Sequence, residues 1–192
     1  MTTQAQLPQT SLQLPLGQDA LILGGGCFWC TEAVFLRLQG VITVISGYAG
    51  GLVERPSYAQ IGTGTTGHAE VVQVVFDREK ISIAALLEVF WATHDPTTLN
   101  RQGADVGPQY RSAIFYRNEE QAQIAQEMKQ QLDRSGIYGS SVVTEITAFS
   151  NFYEAENYHQ NYYAQHGGQP YCQFVVRPKV EKLQKLFADK LK

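Results

Sequence analysis

Apolar runs of strand length alternate along this chain with segments of helical spacing, and glycines, prolines and polar clusters mark the joints between them. Residues 20–23 form a continuous apolar run followed by three glycines. From residue 27 to 38, Ala33, Val34 and Leu38 recur at core-facing helical spacing until Gly40 ends the pattern. Residues 41–48 and 68–77 read as strands. The stretch between them, residues 49–67, holds several glycines and Pro56, a long loop of the kind that carries function in a compact domain. After a turn at residues 77–80, Ser82 is placed to cap a helix over residues 83–93, which stops before Pro96, and Asp95 suits a turn there. A second polar loop, residues 96–109, leads to a strand over residues 110–117, with Ala113, Phe115 and Arg117 alternating against Ile114 and Tyr116. Asn118 then caps a polar helix over residues 119–134, with Gln121 at the capping-box position and Gly136 just beyond. Residues 142–148 read as one more strand, at the sheet edge or extending the core. The stretch from residue 149 is aromatic and irregular, and residues 178–192 close as a helix with Val180, Leu183, Leu186 and Phe187 on one stripe.

The order β-α-β-β-α-β predicts an α+β fold: a ferredoxin-like, split βαβ two-layer core with helices on one face, extra C-terminal elements and long functional loops. No repeat and no linker divides the chain, so residues 20–192 are expected to form a single catalytic domain. Residues 1–19 are expected to be a disordered leader, since the segment is rich in Gln, Thr and Pro without a basic start or an apolar core. At 192 residues, 44% hydrophobic and 17% charged, the composition is that of an ordinary globular domain. A formal charge of -3 supplies no basic patch for nucleic acid or anionic membrane, and no apolar run approaches the roughly 20 residues of a membrane span. A cytoplasmic monomer is therefore expected. Three cysteines are too few and too odd in number for a secreted disulfide scaffold, and fit thiols kept reduced and used chemically.

Candidate chemistry centres on Gly24-Gly25-Gly26-Cys27-Phe28-Trp29-Cys30. The strand-to-helix joint puts Cys27 near unpaired helix amides, which favour a thiolate. Two large rings beside the sulfur suit an apolar, sulfur- or methyl-bearing group. With period two, Glu70 shares a face with Val72, Val74 and Phe76, so it lies at the buried end of that face, where desolvation keeps a carboxyl protonated and fit to act as a general acid. Tyr48 and Tyr110 stand at strand ends that can share one mouth of the sheet, and Asp105 lies in the polar loop between. Cys27 and Cys30 form a C-x-x-C pair, and Cys172 follows a loose Gly-Gly-Gln-Pro stretch that can bring a second thiol to Cys27; either Cys30 or Cys172 can resolve an oxidised Cys27. A zinc site is disfavoured, because there is no second C-x-x-C and no H-x(3-5)-H. The scattered histidines His68, His94, His159 and His166 read as capped or surface residues.

Five ordered stretches resemble the A-type peptide methionine sulfoxide reductases: Gly25-Gly26-Cys27-Phe28-Trp29, Ser46-Gly47-Tyr48-Ala49-Gly50-Gly51, Thr66-Gly67-His68-Ala69-Glu70, His94-Asp95-Pro96-Thr97 and Gly107-Pro108-Gln109-Tyr110-Arg111-Ser112. The resemblance spans roughly residues 20–173. It implies an enzyme that reduces the S epimer of methionine sulfoxide, free or in proteins, for protein repair under oxidative stress. Carried onto this chain, Cys27 is the nucleophile and Glu70 protonates the sulfoxide oxygen. Tyr48 and Tyr110 bond that oxygen with Asp105 ordering the polar side, and Phe28 and Trp29 enclose the methyl group. Cys27 becomes a sulfenic acid, a second thiol closes a disulfide, and an external dithiol, thioredoxin, restores the enzyme without metal or organic cofactor. Many family members have Gly where this chain has Cys30 and use C-terminal cysteines in a glycine-rich tail. Here Cys30 and Cys172 remain alternatives, Cys172 being favoured because Cys30, inside the helix, would need local unwinding to reach Cys27. Two other readings follow from the residues: a general thiol-disulfide oxidoreductase using Cys27 and Cys30, and a non-catalytic module binding methyl-bearing side chains.

Overall fold

The structure, a computed structural model, describes residues 12–192. Of the leader expected over residues 1–19, residues 1–11 lie outside the described residues, and the first strand starts at Gln18, two residues earlier than expected. The elements run β1 (Gln18–Gly25), α1 (Phe28–Phe35), β2 (Val41–Ala49), α2 (Tyr58–Gly62), β3 (Ala69–Asp77), α3 (Ile83–Ala92), the small hairpin β4 (Arg101–Gln102) and β5 (Asp105–Val106), then β6 (Ser112–Tyr116). They continue with α4 (Glu119–Ser135), β7 (Glu145–Ala148), β8 (Phe152–Glu154), α5 (Tyr162–His166) and α6 (Arg177–Leu186). Six strands form one sheet in the order β7-β6-β1-β3-β2-β8. The central four, β6-β1-β3-β2, are antiparallel and take the split βαβ order expected from the pattern. At the edges, β7 adds to β6 in parallel and β8 adds to β2 antiparallel.

One face of the sheet, with Leu21, Leu23, Val72, Val74 and Phe76, packs on Val34 and Phe35 of α1 and on Leu86, Leu87 and Phe90 of α3. A smaller cluster, Ile22, Val71, Ala113, Phe115 and Phe152, fills the opposite face. Helix α1 departs from the expected one-sided packing. It is buried nearly all round, because Cys172, Val176 and Val180 from the C-terminal segment cover its outer side at Cys30 and Ala33. Ser82 caps α3 by accepting from the Ala85 N–H at 3.1 Å. At α4 the Asn118 side chain accepts from the Gln121 N–H, whereas the Gln121 amide reaches the Arg117 N–H and the Ala20 carbonyl, so the reciprocal capping box is replaced by a tie to β1.

Three of the four histidines are buried rather than superficial. His94 ends a hydrogen-bond chain whose directions are all determined: Trp91 Nε1–H donates to Thr144, Thr144 to Ser112, Ser112 to His94 Nε2, and His94 Nδ1–H to the Phe90 carbonyl. Burial pushes His94 down to about 3, so the ring stays neutral and the chain intact at neutral pH. Among the described residues no helix is long and apolar enough to cross a membrane.

Candidate active site

The turn from β1 into α1 delivers Cys27. Gly26 makes that turn at φ +92°, and a Cβ there would stand 2.6 Å from Gln102 Cγ, so only glycine fits. Gly26→Ala is expected to lower stability by about 1–3 kcal/mol, read as a lower urea midpoint. An unchanged midpoint would show that the turn relaxes freely. Cys27 then occupies the N-cap of α1, 8% exposed, with non-helical φ -56° and ψ 125°. The next amide, Phe28 N–H, donates to Glu70 Oε2 at 3.1 Å. Glu70 comes from β3, where it pairs in register with Tyr48 of β2, and it is 2% exposed. Burial pushes its carboxyl up to about 8, only partly opposed by the Phe28 N–H, so it carries a proton at neutral pH. The Cys27 thiol is also held above its ordinary range, by burial first and then by Cys30 and Glu70. This departs from the thiolate expected of a helix start: desolvation outweighs the helix amides.

A second carboxylate, Glu156, ties the aromatic side of the site together. It accepts from the Tyr48 hydroxyl at 3.1 Å and from the Tyr58 backbone N–H at 3.0 Å, and its Oε2 lies 3.2 Å from His159 Nε2. His159 Nδ1 accepts from Trp29 Nε1–H at 3.1 Å, which leaves the ring proton of neutral His159 on Nε2, facing Glu156. Rings close around this hub, with His159 5.0 Å from Phe28 and 4.4 Å from Tyr58, and Trp29 stacked 3.7 Å from Tyr162. Buried Glu32 fixes the connecting backbone by accepting from the Asn161 and Tyr162 N–H groups, with Asn161 in the left-handed region at φ +53°.

The thiols lie on the other side of Cys27. Cys27 donates to Cys30, which, with Lys179 nearby, lowers the Cys30 thiol from its ordinary range. Cys172 is fully buried in the same apolar cluster, within a π-helical turn, Cys172–Val176, that runs into α6. Tyr171 lines the same space and its hydroxyl donates to Asp105 Oδ2 at 2.6 Å. A cavity of about 280 Å³ opens here, lined by Cys27, Cys30, Asp105, Tyr171, Phe174 and Lys179 among others. Because α1 begins at Phe28, Cys27 stands at its N-cap and Cys30 in its first turn.

Cys27, Phe28, Tyr48 and Glu70 thus gather at one point, and Tyr110 closes it from the half-buried end of the turn Pro108–Tyr110, its phenol raised by burial and then by Glu70. Trp29 sits one layer out, engaged with His159 and Tyr162, and Asp105 is held by Tyr171. Tyr58, Glu156, His159 and Tyr171 belong to the same constellation and were missed by pattern reading. The available signals were a capped turn at Ser57–Gln60 inside the glycine-bearing loop and a Glu-x-x-His spacing at Glu156 and His159 amid tyrosines. Among the described residues no three His, Cys, Asp or Glu side chains group to hold a metal ion.

Comparison with known proteins gives the family of the chain. The family model described as peptide methionine sulfoxide reductase matches residues 19–191. The peptide methionine sulfoxide reductase MsrA of Saccharolobus solfataricus is 57% identical over 174 residues, covering 91% of this chain and 97% of that protein. The MsrA of Deinococcus radiodurans is 55% identical over 175 residues, covering 91% and 85%. Among solved structures, methionine sulfoxide reductase A of Corynebacterium diphtheriae superposes with a TM-score of 0.76 at 33% identity, covering 79% of this chain and 76% of that one. Mxr1 of Saccharomyces cerevisiae, solved in complex with Trx2, does so with a TM-score of 0.55 at 25% identity, covering 80% and 91%. A match along nine-tenths of the sequence, carried on a fold with the same topology, establishes that the chain belongs to the peptide methionine sulfoxide reductase family.

Proposed function

We propose that Cys27 and Glu70 carry out the reduction of the S epimer of methionine sulfoxide, free or in proteins, to methionine. The observation that carries this reading is the buried Glu70 carboxyl, protonated at neutral pH and bonded to the amide next to the Cys27 sulfur. Cys27 attacks the sulfoxide sulfur while Glu70 gives its proton to the oxygen, since an unprotonated oxide leaves poorly. The Cys27 thiol proton returns to Glu70. The oxygen passes to Cys27 as a sulfenic acid, methionine departs with two added electrons, and the charge of the site is unchanged. Tyr110 bonds the oxygen, Asp105 with Tyr171 orders the polar side, and Phe28 and Trp29 shape the place of the methyl group. With oxygen and methyl each assigned a side, one configuration at sulfur directs the peptide outward.

Cys30 then attacks the Cys27 sulfenic acid, releasing water and closing a disulfide, and Cys172, packed behind Cys30, is the thiol next in reach. Cys30 leads because it already bonds Cys27. An external dithiol of the thioredoxin type, the kind of partner named in the Mxr1 complex, returns both thiols, and no metal or organic group is needed for any step. The test is to mix pre-reduced protein with each epimer of a methionine sulfoxide peptide in one turnover. Methionine from the S epimer with loss of two thiols is expected; release from neither epimer, or binding without consumption, overturns the reading.

A further inference from the structure

Helix α6 presents one cation to the thiols. The π-helical turn Cys172–Val176 runs directly into it, and the buried stripe Cys172, Val176 and Val180 packs on Cys30 and Ala33 of α1. Beside that stripe, Val175 and Lys179 stand one turn apart, and both line the cavity of about 280 Å³ that opens on Cys27 and Cys30. Lys179 also borders Cys30 in a second, smaller space, together with Thr31 and His94. It is the one cationic residue lining either space. The other basic residues of α6 are placed differently. Arg177 bonds Glu181 and Gln173 along the exposed side of the helix, and Lys182 is exposed. Lys179 is half-buried and, among the described residues, its ammonium has no ion pair or hydrogen bond.

Resting on the reading given above, in which Cys30 resolves the Cys27 sulfenic acid, we propose that Lys179 is a positioning residue for that step, its ammonium drawing negative charge onto the attacking Cys30 sulfur. The step balances with no further reagent. Cys30 gives its proton to solvent in the cavity and its sulfur bonds to the Cys27 sulfur, while the S–O bond breaks and the oxygen takes up a proton and leaves as water. A nucleophile in this apolar cluster must become a thiolate against desolvation, and a nearby cation or donor offsets that cost. Each element packed on Cys30 contributes to the balance. Cys27 at the start of α1 donates to it, Lys179 of α6 favours its charge, and Asp105 of β5 opposes it; together they hold the thiol below its ordinary range in spite of burial. Burial keeps His94 neutral and keeps Tyr171 and Cys172 protonated, and protonated Glu70 lies beyond Cys27. Tyr162 and Tyr163 of α5 complete the cluster.

The test reads Cys30 first alone and then in turnover. In a Cys27→Ser, Cys172→Ser protein, serine keeps a hydroxyl donor at position 27 and Cys30 is the one thiol left. Its alkylation by iodoacetamide is followed against pH. Lys179→Met is expected to slow alkylation by about 3–10-fold at neutral pH and to move its rise upward by about one pH unit, the loss of thiolate being partly offset by a more nucleophilic sulfur. Lys179→Arg should keep the profile seen with lysine. In a Cys172→Ser protein after one turnover with the S epimer, Lys179→Met should slow closure of the Cys27–Cys30 disulfide by the same factor. An alkylation profile that Lys179→Met leaves in place overturns the role. So does a slowing that is equal at every pH or is shared by Lys179→Arg, either of which assigns Lys179 to packing. A Cys172→Ser protein that forms methionine but never joins Cys27 to Cys30 overturns the resolving assignment and this role with it, and leaves the reduction standing. A wild type that yields no methionine overturns both readings, and the alkylation profile tells the two failures apart.

Discussion

Glu70→Gln is expected to slow methionine formation in a single turnover by about 10²–10⁴-fold at neutral pH, the usual contribution of a positioned general acid. The amide keeps the shape and can still accept from the Phe28 N–H, so the loss belongs to the missing proton rather than to packing. The pH dependence carries the same signature. The folded carboxyl sits at about 8, raised by burial above an unperturbed value near 4.3, so the protonated, competent form is present below about 8 and lost above it. The wild-type rate should therefore fall on the alkaline side with a midpoint near 8, and Glu70→Gln should lack that limb. A variant that keeps the alkaline fall, or changes only KM, would remove Glu70 from the chemical step. Linkage adds a check on stability. A raised folded value makes the Glu70 contribution complete below about 4.3 and lost as pH rises through 8, so wild type should lose stability relative to Glu70→Gln across that window.

Serine at Cys27 is expected to abolish methionine formation, whereas serine at Cys30 should leave one methionine per protein and remove most of the turnover driven by a dithiol such as thioredoxin or dithiothreitol. The distinction follows from position. Cys27 precedes the amide that bonds Glu70, while Cys30 bonds Cys27 from the helix side and can act only after the sulfenic acid forms. Cys172→Ser should keep the first disulfide and affect later exchange, because Cys172 lies behind Cys30 in the apolar cluster. Steady-state assays and thiol counts on the three variants separate these cases. Full turnover in Cys30→Ser with none in Cys172→Ser would reverse the order and make Cys172 the resolving thiol.

The central sheet was legible because its signals are local. Alternation along β3 put Glu70 on one face with Val72, Val74 and Phe76, and that shared face follows from the period alone. The capped start of α3 and the glycine after α4 are equally local. Residues 150–176 were opaque because their conformation is imposed from outside. β8 has three residues and exists by pairing with β2, where Gly47 leaves room for Phe152. Gln160 clamps the Ser46 backbone with both ends of its amide, and Glu32 holds Asn161 in a left-handed conformation that nothing nearby in sequence requires. Glu156, His159 and Tyr171 enter the site on this segment, so they stayed hidden with it. The Cys27 titration was misjudged for a related reason: the helix start is visible in sequence, but the cover from the C-terminal turn that desolvates the sulfur is not.

The central claim is that the substrate's oxygen passes to Cys27. It is tested most directly in a Cys30→Ser, Cys172→Ser double variant, where nothing in the chain can resolve the product. After one turnover with the S epimer, mass spectrometry of the peptide carrying Cys27 should show one added oxygen, reactive to a sulfenic-acid probe, in proportion to the methionine formed. Methionine formed with Cys27 still a free thiol, or oxygen added to Cys27 without methionine, would contradict it.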